Sequence, residues 1–251
     1  MRDFTLSTLE LLLSTLLKNG YTFVTFEDYL INKPSGKRII LRHDVDAMAQ
    51  NSLDTAIMEN KLGIKGTYYF RIVNRSNKPK IINAIAELGH EIGYHYEDLA
   101  HAYGNKEKAI TSFEKNLTYF RTYYPIKTIC MHGSPVSKWD NRKLWEKYDY
   151  KKYGILGEPY FDTDLEKFLY LTDTGRMWDG KKVSVRDKMP NSYSNGLSFK
   201  TSFDIINNVS KLPDQIMITT HPQRWNDNPF RWILELVFQN VKNLVKRLIA
   251  S

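Results

Sequence analysis

A chain of 251 residues that is 42% apolar and 25% charged has room for one large α/β domain or two small ones, and its composition is that of a water-soluble globular protein. The single cysteine, Cys130, excludes an intramolecular disulfide and with it a disulfide-stapled secreted design, so a reducing, cytoplasmic setting is expected. The formal charge of +8 favours anionic partners, but the basic residues are scattered, and without an RNA-binding aromatic motif, zinc finger or glycine-rich phosphate loop no nucleic acid is expected as a partner.

In chain order, Leu6 to Lys18 predicts an amphipathic helix stopped by Asn19-Gly20, and Tyr21 to Val24 a strand. The apolar stretch Leu9 to Leu17 is broken by Glu10, Ser14 and Thr15 and lacks a small-residue cleavage site, so it does not predict a signal peptide. Residues 37–42 predict a strand leading into His43-Asp44-Val45-Asp46. A helix over Ser52 to Leu62, a strand over Gly66 to Phe70 and a helix over Lys80 to Leu88 follow. His90 to His95 reads as a strand, Lys106 to Tyr123 as a long helix, and Lys127 to Met131 as a strand ending at His132-Gly133-Ser134-Pro135. Beyond a less regular middle come a strand over Phe168 to Asp173, a helix over Phe203 to Ser210, and a strand over Gln215 to Thr220 ending at His221-Pro222. Alternating strands and helices predict a mostly parallel sheet or barrel.

The polar residues of interest recur at one kind of place, the C-terminal end of a strand: Asp44 and Asp46, His95, His132, Asp173 and His221. In barrels of alternating strands and helices that rim is where active sites are built. Asp44 and Asp46 are two apart and would share a strand face. Two carboxylates side by side require positive compensation, and a divalent cation supplies it; an exposed acidic loop is the alternative. His95 shares a face with Gly93 and suits a metal ligand, whereas His90 lies on the other face and reads as structural. His132 is either a ligand, a substrate contact or a cap on its strand. His221, followed by Pro222, suits a general acid or a turn-bonding histidine. Asp173 is a candidate to orient a histidine or bind sugar hydroxyls. Trp178 and Trp225 are candidate sugar platforms against the alternative of packed core, and Arg176 and Arg224 candidate anchors for an anionic group.

Together these segments, from about residue 37 to about residue 225, resemble the NodB-like polysaccharide deacetylases (carbohydrate esterase family 4), in a divergent branch with His-Asp-Val-Asp in place of Thr-Phe-Asp-Asp. The resemblance implies a distorted (β/α)7 barrel and metal-dependent removal of N- or O-acetyl groups from carbohydrate, with zinc the preferred divalent metal. It implies Asp44 as base, Asp46 and His95 as metal ligands, His221 as general acid, and the Asp173 to Trp178 stretch as the segment that tunes this histidine and lines the pocket. Three departures stand out. Val45 splits the acidic pair, Leu99 occupies the position of the second ligand histidine with His101 two residues on, and Met131-His132-Gly133-Ser134 replaces an arginine-containing motif. His132 is the favoured third ligand.

The expected organisation is one deacetylase-type domain over 1–251, with an N-terminal helix and strand (about 1–36) and a C-terminal amphipathic helix (about 229–250). In that last helix Phe230, Ile233, Leu234, Val237, Val241, Leu244, Val245 and Leu248 repeat at helical spacing, with Lys242, Lys246 and Arg247 off the stripe. The stripe predicts a helix that closes the barrel. The alternative is an interfacial helix on the inner face of an anionic membrane, which fits a lipid-linked glycan. The expected substrates are an acetylated sugar, a nucleotide-sugar or a lipid-linked glycan in surface-polysaccharide biosynthesis; the competing reading is a non-catalytic carbohydrate- or partner-binding relative with a degraded metal site.

Overall fold

A computed structural model describes residues 2–133, 137–178 and 196–250, with the side chains of the last helix described to residue 244. Ser134 and Pro135, and Asp179 and Gly180, fall outside the described residues. The elements are α1 (Leu6–Lys18), β1 (Thr22–Val24), α2 (Phe26–Asn32), β2 (Arg38–Val45), α3 (Ala49–Lys61), β3 (Thr67–Phe70), α4 (Pro79–Glu87) and β4 (Glu91–Tyr96). They continue with α5 (Asp98–His101), α6 (Lys106–Arg121), β5 (Ile129–Met131), α7 (Pro159–Asp162), β6 (Leu169–Thr172), α8 (Ser202–Asn207), β7 (Gln215–Thr220) and α9 (Pro229–Ala250).

The seven strands form one parallel sheet in the order β5-β4-β3-β2-β7-β6, with β1 beside the first half of β2. Among the described residues no strand ladder joins β5 to β6, so the curled sheet is a distorted (β/α)7 barrel open at that seam. Residues 155–157 lean on β5 there, Leu156 N donating to Lys127 O at 2.7 Å and Ile129 N to Gly157 O at 3.2 Å.

Strand β2 shows how the sequence separates the two faces. Ile39, Leu41, Ile216 and Ile218 pack outward against Leu9, Leu12, Leu13 and Leu16 of α1. That helix is held at its start by Thr5, whose side chain accepts from Thr8 N, the usual N-cap arrangement. The alternate residues Arg42 and Asp44 face inward, because side chains alternate across a strand. Their level in the sheet follows from the register, with Arg42 beside Thr67 and Thr219 and Asp44 beside Tyr69. On β4, Gly93 sits beside Tyr69 in the register, and a Cβ on it would overlap the Tyr69 ring. Glycine there is what allows the tyrosine to fill the interior.

Helix α3 begins three residues before Ser52. Asn51 in its first turn is buried, and its Nδ2 bonds Pro222 O at 3.3 Å in the segment that follows β7. Helix α2 has no counterpart among the sequence expectations; it is capped by Thr25, whose side chain accepts from Asp28 N.

Candidate active site

Strand ends β2, β4, β5 and β7 bring Asp44, Asp46, His95, His132 and His221 together at the rim. Strand β2 continues through Val45, so Asp44 is a strand residue and Asp46 the first residue beyond it. Asp44 is buried and bound bidentately by Arg42, with Nε to Oδ1 at 2.7 Å and Nη2 to Oδ2 at 2.6 Å. The positive compensation for this carboxylate therefore comes from the protein itself. The signal was present in the sequence, since Arg42 lies two residues before Asp44 on the same strand face.

Asp46 is arranged differently. Its Oδ2 accepts from Gln223 Nε2 at 3.3 Å and lies 3.9 Å from His221 Nε2. Its Oδ1 is buried with no hydrogen-bond partner among the described residues. That orphaned oxygen lies 3.4 Å from His132 Nε2 and 3.7 Å from His95 Nε2. Burial raises the Asp46 carboxyl, but His132, His221, His95 and Arg71 outweigh it and hold the group well below the usual carboxylate range.

Both histidines have the ring nitrogen remote from Asp46 already engaged. His95 Nδ1 is 2.9 Å from Cys130 O, and His132 Nδ1 is 2.9 Å from Glu97 Oε2. A carbonyl and a carboxylate accept, so each Nδ1 carries the proton and each Nε2 presents a lone pair, the arrangement that fixes metal-ligating imidazoles. Burial pushes His95 down to about 4, which keeps it neutral at neutral pH. Neutral imidazoles and an ionised carboxylate are the forms that bind a cation. In a tetrahedral site with ligand bonds of about 2.1 Å, ligand atoms sit about 3.4 Å apart, close to the two separations found around Asp46 Oδ1. Asp46 Oδ1 and either imidazole are therefore spaced as two ligands of one divalent cation.

Glu97, Arg71 and Asn141 are supports that sequence reasoning did not single out. Glu97 lies two residues after His95. It bonds His132 and takes a bidentate pair from Arg71 at 2.9 and 2.7 Å. Burial opposes its charge, yet His132 and Arg71 bring it down to about 2. Asn141 Nδ2 bonds His132 O at 2.8 Å while its Oδ1 accepts from Ala100 N. Leu99 is buried in the core, and half-exposed His101 stands 3.6 Å from Glu97 rather than beside Asp46. Among the described residues, Asp44, His95 and Cys130 are the donor group whose ligand atoms all lie within 4.8 Å of one another. Arg42 occupies both oxygens of that aspartate, whereas Asp46 Oδ1 faces His132 and His95 but does not bring those two imidazoles within 4.8 Å of each other.

His221 is held from behind by Asp173. Its backbone N donates to Asp173 Oδ2 at 2.9 Å and its Nδ1 donates to Asp173 Oδ1 at 2.6 Å. Arg224 Nη1 also bonds this carboxylate, and Trp225 Nε1 donates to it at 2.8 Å. Burial raises Asp173, but Arg224 and His221 overcome this and bring it down to about 2. Burial and the Arg224 charge work against protonation of His221; Asp173 and Asp46 outweigh both and raise it above the ordinary histidine value.

Four residues expected to bind substrate are placed otherwise. Trp178 and Trp225 are buried, with ring centroids 6.1 Å apart, and Phe4 lies 5.0 Å from Trp225. Trp178 Nε1 bonds Ser202 Oγ at 3.0 Å. Both pack in the outer core cluster with Phe4 and the leucines of α1, Trp178 from the segment after β6 and Trp225 from the segment after β7. Arg224 is committed to Asp173. Arg176, in left-handed conformation with φ 58°, pairs with Glu235 of α9 at 2.7 Å. His90 is structural, as expected: it lies with His43, Tyr68 and Glu59 behind the sheet, where Tyr68 Oη donates to Glu59 at 2.8 Å.

The raised His221 gives a pH prediction. Asp173→Asn removes the group that favours protonation and leaves Arg224 to oppose it, so the His221 imidazole should titrate at lower pH, read by NMR of the ring protons. The same carboxylate bears on stability. Its folded value of about 2 lies below the ordinary 3.8, so its contribution is complete above pH 3.8 and is lost as pH falls towards 2. Acid unfolding of Asp173→Asn should accordingly lack that part of the wild-type pH dependence.

No protein-family model and no curated protein matches the sequence. Among solved structures, the chain is similar to the Xyl-CE4 domain of a multidomain xylanase from the hindgut metagenome of Trinervitermes trinervoides, at 15% identity over 85% of each chain, with a TM-score of 0.36.

Proposed function

We propose that this protein is a metal-dependent hydrolase that removes an acyl group, in the first instance acetyl, from a carbohydrate. The observation that carries the reading is the orphaned Asp46 Oδ1, faced by the bare Nε2 atoms of His95 and His132. Beside it stand a carboxylate steadied by arginine and an imidazole steadied by aspartate. The carbohydrate class comes from the resemblance of the motifs at 43–46, 89–95 and 173–178 to the NodB-like deacetylases.

Asp46, His95 and His132 would hold the divalent ion, zinc by preference for a two-nitrogen, one-oxygen set. When bound, it supplies a Lewis acid for the acyl carbonyl and for water. Asp44 acts as general base. Arg42 takes one lone pair on each oxygen and fixes the carboxylate plane, leaving a second lone pair to accept the proton of the attacking water. His221 acts as general acid: Asp173 holds its Nδ1–H, so the Nε2 proton is the one delivered to the leaving nitrogen or oxygen. Glu97 and Arg71 position His132.

The test is elemental analysis joined to acetate release. Wild-type protein is expected to carry about one zinc per chain and to release acetate from acetylated sugars. A chelator should abolish that release and zinc restore it. His95→Ala should lose the metal while its circular dichroism stays that of the wild type. Metal-free wild-type protein with no acetate release from any acetylated sugar would overturn the proposal in favour of a binding protein.

A further inference from the structure

Helix α9 carries its polar residues inward and its apolar residues outward, the reverse of a helix that closes a barrel. Glu235, Gln239 and Asn243 recur every fourth residue and form the protein-facing stripe, with Gln239 and Asn243 buried. Glu235 pairs with Arg176, Gln239 Nε2 bonds Asn243 Oδ1 at 2.7 Å, and Asn243 Nδ2 bonds Gly175 O at 3.0 Å. Trp232 Nε1 donates to Asp3 O at 2.8 Å, and the Arg176 guanidinium lies over both the Phe4 and Trp232 rings. These contacts set the rotation of the helix. On the other side Phe230 is 69% exposed, Phe238 64% and Leu244 60%, with Leu234, Val237 and Val241 exposed between them.

The exposed face points to its occupant. From Ile233 round to Phe238 it spans about 140° at about 100° per residue, wider than the narrow seam of a two-stranded coiled coil. The exposed charges on the described part of the helix, Arg231 and Lys242, are both basic, and Lys246 and Arg247 follow in sequence. The one acidic residue of the helix, Glu235, is turned inward to Arg176. No described helix is long and apolar enough to cross a membrane. A second copy docking through this face would bring like charges together, which disfavours that pairing.

We propose that α9 lies flat on an anionic membrane surface, its apolar face sunk among the acyl chains and Arg231 and Lys242 at the lipid phosphates. The inward stripe would then tie the bilayer-bound helix to the loop at Gly175 and Arg176, next to Asp173. This inference stands apart from the hydrolase reading, since it rests on the rotation and exposed face of α9 and not on the rim residues.

The full-length protein should co-sediment with vesicles of phosphatidylcholine mixed with phosphatidylglycerol, and much less with phosphatidylcholine alone. Val237→Glu with Val241→Glu should abolish sedimentation without lowering the melting temperature, because both side chains are exposed. Lys242→Gln should weaken binding about fivefold, the value of one basic residue at an anionic surface. Absence of binding to the mixed vesicles, binding indifferent to phosphatidylglycerol, or a double variant that binds like wild type would overturn the proposal. So would a soluble dimer that the double variant converts to monomer without any vesicle binding, which would assign the face to a second copy.

Discussion

Asp44→Asn is expected to keep its bound metal and to lose about 10²- to 10⁴-fold in acetate turnover, the usual worth of a positioned general base. The two halves of the outcome separate base from ligand. Asp46, with its unpartnered Oδ1 between two imidazoles, holds the cation in the proposed arrangement; Asp44, with Arg42 across both oxygens, does not. The asparagine also leaves Arg42 facing an amide N–H₂, so the variant will be less stable than wild type. Turnover must therefore be compared at a temperature where circular dichroism shows both proteins folded, with zinc content measured on the same samples. Wild-type turnover in a zinc-loaded Asp44→Asn protein would remove Asp44 from the mechanism.

Arg42→Leu is expected to give the largest loss of stability among single changes at the site. Arg42 and Asp44 are both essentially buried, and deleting the cation strands a carboxylate in the barrel interior at a cost of about 3–5 kcal/mol. Urea unfolding should show a lower midpoint with an unchanged slope. Arg42→Leu combined with Asp44→Leu should recover much of that loss, because replacing both members of a buried pair removes the stranded charge. A single variant as stable as wild type would mean that water reaches Asp44 and that the pair is not the interior clamp described above. Activity should disappear in both variants, in the single one because the base is no longer held and in the double one because it is absent.

How far the site could be read from the chain differs residue by residue. Gln215–Thr220 matched the expected strand end to end, because a continuous apolar run bounded by Asp214 and His221-Pro222 leaves little choice. The helix at 49–61 began earlier than its apolar spacing indicates, because Asn51 is buried against a loop more than 170 residues away in sequence, and a long-range hydrogen bond leaves no periodic trace. The placement of Asp44, Asp46, His95, His132 and His221 at the ends of β2, β4, β5 and β7 was legible, since each follows an apolar run and the parallel order puts those ends on one rim. The partners of these residues were less so. Arg42 could have been found from its two-residue spacing to Asp44, and Glu97 from its two-residue spacing to His95. Arg71 and Asn141 reach the site from other loops and carried no local signal.

The sequence left the choice open where one residue type serves two environments. Trp178 and Trp225 have the chemistry of a sugar platform and of a core, and only their packing against Phe4 and the leucines of α1 decides between them. The apolar spacing of 230–248 describes a helix with one oily face but is silent on which way that face turns. Three polar residues, Glu235, Gln239 and Asn243, settle the rotation by bonding to Arg176, to one another and to Gly175 O. By itself, then, the sequence determined the alternation of strands and helices and the side chains that each strand delivers to the rim, because these follow from local periodicity. Tertiary structure decided which carboxylate is neutralised by arginine and which is left with an open oxygen, and which face of the last helix meets solvent, because both depend on contacts between segments far apart in the chain.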